Sequence, residues 1–144
     1  MQVKIKLLNK KAKLPKYAHG SHEDAGMDLH ATEDVDLFPG ETKLVGTGLS
    51  IDLPPGFEAQ IRSRSGLAFK YGVCVLNSPG TIDPAYRGEI KVILHNAGNG
   101  HAKFSAGDRI AQMVVARYEM VEFDVTEQLS STSRGEGGGG STGV

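Results

Sequence analysis

The 144-residue chain has no tryptophan, one cysteine and no apolar run near the roughly 20 residues that a bilayer-spanning helix needs. With Cys74 alone in the run Val73-Cys74-Val75-Leu76, a disulfide framework and a cysteine-based metal site are both excluded, and the thiol reads as a small buried hydrophobe. An excess of charge of either sign is also missing. Sixteen basic against 17 acidic residues give a formal net charge of -1, so there is no basic field to hold a nucleic-acid polymer by counterion release. Residues 1–10 alternate lysine with aliphatics and lack the continuous apolar core of a signal peptide, so the expected location is the cytoplasm, or an organelle matrix or nucleus in a eukaryote. Helical periodicity is scarce as well: only residues 65–70 offer a short turn of helix, with Ser65 available as its cap.

What is present is alternation and turns. Val3, Ile5 and Leu7; Leu49, Ile51 and Leu53; Phe57, Ala59 and Ile61; and Ile90, Val92 and Leu94 each follow the period of two of a half-buried strand. Pro39-Gly40, Pro54-Pro55-Gly56, Ser78-Pro79-Gly80 and Ala106-Gly107-Asp108 separate such runs at short intervals. Many short strands so spaced predict an all-β sandwich or jelly roll, in one domain over residues 1–128. Residues 129–144 hold six Gly and six Ser or Thr, too few apolar groups for a core, and read as an arm.

Five polar segments interrupt this frame. Arg62-Ser63-Arg64-Ser65-Gly66-Leu67-Ala68 places guanidinium groups beside a helix start, where free N–H groups and forked donors suit phosphate oxygens. Gly80-Thr81-Ile82-Asp83-Pro84-Ala85-Tyr86-Arg87-Gly88-Glu89 joins the run ending near Leu76 to the strand beginning near Ile90 and reads as a hairpin with its polar side chains at the open end. Ala25-Gly26-Met27-Asp28-Leu29 sets one carboxylate among apolar residues, and Gly107-Asp108-Arg109-Ile110-Ala111-Gln112 opens a strand with a turn. The tail Arg134-Gly135-Glu136-Gly137-Gly138-Gly139-Gly140-Ser141-Thr142-Gly143 has the composition of a phosphate-binding loop, and also that of a solvated terminus or linker.

In this order the five segments resemble the five motifs of the trimeric dUTPase family, over nearly the whole chain. The resemblance implies a jelly-roll-like (β-clip) subunit with one short helix in a homotrimer, each site drawing motifs from more than one subunit and closed by a neighbour's arm. It implies Mg²⁺-dependent hydrolysis of dUTP to dUMP and pyrophosphate, which keeps uracil out of DNA and supplies dUMP for dTMP synthesis. Asp83 would be the general base. Arg64, Ser65, Gly66 and Gln112 would hold the triphosphate, and Arg134, Gly140, Ser141 and Thr142 would clamp its distal end. Asn77, Gly80, Thr81, Ile82 and Lys91 would line the base pocket, Tyr86 would lie against the deoxyribose, and Asp28 would act on Mg²⁺ through water. The family normally carries an aromatic ring where this chain has Gly139, a departure expected to weaken nucleotide capture. Rival readings are a dCTP deaminase, which shares the architecture, and a non-catalytic nucleotide sensor.

Overall fold

The computed structural model describes residues 1–139. In chain order it has β1 (Lys4–Leu7), β2 (Met27–His30), β3 (Val35–Leu37), β4 (Thr42–Asp52), β5 (Phe57–Arg62), α1 (Ser65–Tyr71), β6 (Val73–Val75), β7 (Gly80–Ile82), β8 (Ile90–Asn96), β9 (Ala102–Phe104) and β10 (Arg109–Arg117). The strands form two four-stranded sheets, ordered β1-β4-β8-β6 and β2-β10-β5-β7, and a ribbon of β3 with β9. The all-β, jelly-roll-like expectation with one short helix holds.

Alternation sets the core. In β8, Ile90, Val92 and Leu94 point inward and are fully buried, while Lys91, Ile93 and His95 point outward. Leu29 of β2, Leu49 of β4, Ile61 of β5 and Met113 of β10 join them in one apolar cluster fed by both sheets. Each such side chain contributes about 1.5–3 kcal/mol on burial. The expected strand at Val3, Ile5 and Leu7 exists, but β1 lies at a sheet edge, so Ile5 is half-buried and Leu7 is exposed.

Two further expectations need correcting. The hairpin expected around residues 80–89 holds only in its two flanking strands: β6 pairs antiparallel with β8, but residues 80–82 of the connection form β7, which pairs with β5 of the other sheet. The chain therefore leaves one sheet after β6, adds β7 to the edge of the other sheet, and returns for β8. Ser65 is also not the helix cap. Arg64, with extended backbone, occupies that position without a side-chain capping bond, and its carbonyl accepts from the N–H groups of Leu67 and Ala68 at 3.1 Å each. Helix α1 ends at Gly72, whose left-handed φ of 69° and close approach to Gly98 leave no room for a side chain.

Regular structure ends at Arg117, ahead of the expected boundary after residue 128, and residues 118–139 are exposed. Met120, Val121, Phe123 and Val125 in this stretch find no apolar cover among the described residues.

At the end of β8, Asn96 is fully buried and closes three bonds: Nδ2 donates to Leu37 O at 2.9 Å and Gly100 O at 2.8 Å, and Oδ1 accepts from Gly98 N at 2.9 Å. Asn96→Ala strands all three backbone groups and should cost about 2–4 kcal/mol. Chemical denaturation checks this, with a lowered midpoint expected.

Candidate active site

The antiparallel ladder around β10 gathers three of the five segments. Gln112 stands opposite Asp28 of β2 on one side and opposite Arg62 of β5 on the other. Arg64 follows two residues after the end of β5, so the carboxylate, the amide and the guanidinium come from three neighbouring strands. Gly26 packs against the Gln112 side chain, with space for a Cβ only 3.2 Å from Oε1.

Asp28 is 6% exposed, and a carboxylate so buried needs a partner. It has two: Arg64 Nε lies 3.4 Å from Oδ1 and Arg109 Nη1 lies 3.1 Å from Oδ2. Arg64 also donates from Nη1 to Arg109 O at 2.9 Å. The triad carries one negative and two positive charges, leaving a net positive charge at the start of α1. Nearby, burial and then the charge of Lys13 lower the His30 imidazole from its ordinary value, with Asp28 pulling the other way, which favours its neutral form. Ser65 and Gly66 open the helix, where N–H groups have no intrahelical acceptor. A Cβ on Gly66 would meet nothing within 4 Å, so open space lies above that backbone.

The second group lies where the chain passes from β6 to β7 and back to β8. Asn77, Gly80, Thr81, Ile82, Asp83, Tyr86 and Lys91 line a cavity of about 310 Å³, whose apolar walls include Leu44, Ile61, Val75 and Ile93. That is the lower end of small-molecule sites, which run from about 300 to 1,000 Å³. All three residues of β7 line it, and among the described residues β7 is an edge strand paired on one side only. The Tyr86 hydroxyl donates to Glu89 O at 2.9 Å, so the half-exposed ring, rather than the hydroxyl, is left to meet a ligand. The Asp83 side chain is exposed and makes no hydrogen bond or ion pair with any described residue.

The tail joins neither group among the described residues: Arg134 is exposed and donates from Nε to Gly137 O at 2.9 Å. Gly139 is exposed, and Gly140, Ser141 and Thr142 lie outside the described residues. Sequence reasoning named the Gly-Asp-Arg-Ile-Ala-Gln segment but missed Arg109 as the second partner of Asp28. The available signal was a single carboxylate in an apolar run, which demands a cation elsewhere in the chain.

The dUTPase family profile matches residues 10–143. The chain is similar to the deoxyuridine 5'-triphosphate nucleotidohydrolase of Crocosphaera subtropica, 58% identical over all of both chains, and to that of Solibacter usitatus, 57% identical over 99% of this chain and 97% of that one. Its fold is similar to that of the Staphylococcus bacteriophage 80alpha dUTPase with dUPNHPP, with a TM-score of 0.90, 28% identity and 99% of each chain covered. A net-positive cluster at the start of α1, a small-molecule-sized cavity and full-length similarity agree, and the chain belongs to the dUTPase family and is a dUTP diphosphatase.

Proposed function

We propose that the uracil of dUTP sits in the 310 Å³ cavity against the unpaired edge of β7, and that Asp83 activates the water that attacks the α-phosphorus. The observation that carries this reading is that edge. A strand paired on one side presents fixed N–H and C=O groups on the other, and uracil offers acceptor, donor, acceptor along its own edge. Cytosine reverses the pattern at two of those positions and would leave buried groups unpaired, a strong basis for rejection. Thymine differs by a methyl, so close packing against C5 must exclude it. The Tyr86 ring would exclude a ribose 2′-hydroxyl in the same steric way.

The triphosphate would extend to Arg64, to the N–H groups of Ser65 and Gly66, and to Gln112. Water attacks the α-phosphorus, Asp83 accepts its proton, and the bond from the α-phosphorus to the bridging oxygen breaks, releasing pyrophosphate and leaving dUMP. The Arg64 guanidinium, braced by Asp28, stabilises charge on the equatorial oxygens.

The donor set suits a metal carried by the substrate. No group of three or more His, Cys, Asp or Glu side chains among the described residues could cage an ion, and Asp28 already faces two guanidiniums. Mg²⁺ would therefore take its ligands from phosphate oxygens and water, with Asp28 acting through water. When bound, it would neutralise phosphate charge.

The assembly we propose is a homotrimer whose sites combine residues of more than one subunit. Support comes from the bare apolar residues of 118–128, which a neighbouring copy would cover. Arg134, Gly140, Ser141 and Thr142 would then close over a neighbouring site. In this reading dUMP goes on to supply dTMP synthesis, and removal of dUTP keeps uracil out of DNA.

Incubation with Mg²⁺ and, separately, dUTP, dCTP, dTTP and UTP should yield dUMP and pyrophosphate from dUTP alone, resolved by ion exchange, with activity lost on chelation. Conversion of dCTP to dUTP would instead identify a deaminase, and survival of all four a binder. Asp83→Asn should keep nucleotide binding while turnover drops roughly 10²–10⁴-fold, the usual scale for a general base. Gly139→Phe should raise kcat/KM by about one power of ten or more, since stacking on a base is worth about 1–3 kcal/mol. Equal kinetics for Gly139 and the Phe variant would remove stacking from the account.

A further inference from the structure

The loop that carries Asp83 and Tyr86 has little to hold it. Among the described residues, the only backbone–backbone hydrogen bond across 83–88 is Tyr86 N to Asp83 O at 3.1 Å, and neither sheet pairs with the loop. A base must stay within hydrogen-bond reach of its water, and the Tyr86 ring must keep its distance from the sugar. Something outside the backbone ladder has to fix both.

We infer that Arg87 is the positioning residue for this loop, anchored to β4 by Asp52; the inference rests on the reading of Asp83 as the base. Arg87 Nη1 donates to Pro84 O at 2.5 Å and to Tyr86 O at 3.1 Å, so one guanidinium satisfies two carbonyls of the turn. Its Nη2 pairs with the Asp52 carboxylate. The backbone of Arg87 is held from the same strand, because Ser50 Oγ donates to Arg87 O at 2.7 Å. Ser50 and Asp52 are two apart on β4 and share a face, so that strand grips the loop at two adjacent points.

The next residues extend the grip. Glu89 Oε1 accepts from Gly48 N at 2.9 Å, at the irregularity where β4 slips register against β8 between Gly46 and Leu49. The buried Thr47 hydroxyl donates to Ile90 O at 2.6 Å in the same stretch. The Tyr86 ring lies over Gly88 so closely that a Cβ there would be 2.4 Å from the hydroxyl and 2.5 Å from Cζ. The ring is thus seated between the carbonyl it bonds at Glu89 and bare backbone at Gly88, while Arg87 fixes the carbonyl of Tyr86 itself.

Arg87 and Asp52 are about half exposed, with side chains 53% and 45% accessible. A pair so placed adds little to global stability. Its consequence is local: loss of the clamp frees the angle between Asp83 and the β7 edge without unfolding the sheets. Lysine can replace it only in part, since a point charge cannot serve two carbonyls and a carboxylate with fixed geometry.

The test is steady-state kinetics on dUTP and UTP for Arg87→Ala, Arg87→Lys, Asp52→Asn and the Asp52→Asn/Arg87→Ala double variant, with thermal unfolding of each and Asp83→Asn as control. Arg87→Ala should lose on the order of 10- to 100-fold in kcat, the scale of a small misplacement of a reacting group. Its KM should change far less, its preference for dUTP over UTP should fall, and its unfolding temperature should stay close to that of the parent. Arg87→Lys should recover part of the loss, and the double variant should be no worse than Arg87→Ala alone, as expected for groups that act as a unit. Unchanged kcat and sugar preference in Arg87→Ala, beside an inactive Asp83→Asn, overturn the clamp alone. Wild-type turnover in Asp83→Asn would overturn the assignment of the base and the clamp with it.

Discussion

A carboxylate buried to 6% exposure has to be neutralised, and the way Asp28 meets that demand organises the phosphate side of the molecule. It draws Arg64 from the start of α1 and Arg109 from the start of β10 into one cluster. The side chain of Arg64 is thereby fixed before any ligand arrives, so little conformational freedom remains to be lost when a triphosphate binds. The cluster also keeps one positive charge beyond neutrality, which suits it to an anion and makes it a poor direct seat for a dication. A metal that travels with the phosphates fits this arrangement better than one held by the protein.

The base side depends on a different constraint, the unpaired edge of β7. Uncovered strand edges are hazardous because they invite pairing with another chain, and β7 limits that risk by being three residues long and lining a cavity. The same shortness leaves the loop after it without a ladder. Asp52 and Ser50 supply from β4, and Glu89 from just ahead of β8, what the backbone cannot, which ties the loop that follows β7 on one sheet to β4 of the other.

Much of this was legible in the sequence where a physical pattern is local. Ile90, Val92 and Leu94 announce the most buried strand by alternation, and the turn dipeptides bound most of the elements. The resemblance carried by the five polar segments named the polar lining of the cavity together with Asp28, Arg64 and Gln112, but not the apolar walls Leu44, Ile61, Val75 and Ile93. What depends on long-range choice was not legible. Gly80-Thr81-Ile82 is equally compatible with a hairpin and with a crossing to the other sheet, because three alternating residues carry no record of which edge is free. Arg109 and Arg87 carried no role in the sequence, because their partners Asp28, Asp52 and the loop carbonyls meet them only in the fold. The Ser65 cap failed because Arg64 carries the extended geometry of the capping position and its carbonyl already opens the helix.

In the proposed reaction the two sides act on one substrate, with the uracil held at β7 and the α-phosphorus presented to the water at Asp83. Single-turnover hydrolysis of dUTP in ¹⁸O-labelled water, followed by mass analysis of both products, tests that geometry most directly. The account predicts one labelled oxygen in dUMP and none in pyrophosphate. Label confined to pyrophosphate would place the attack on the β-phosphorus and contradict it.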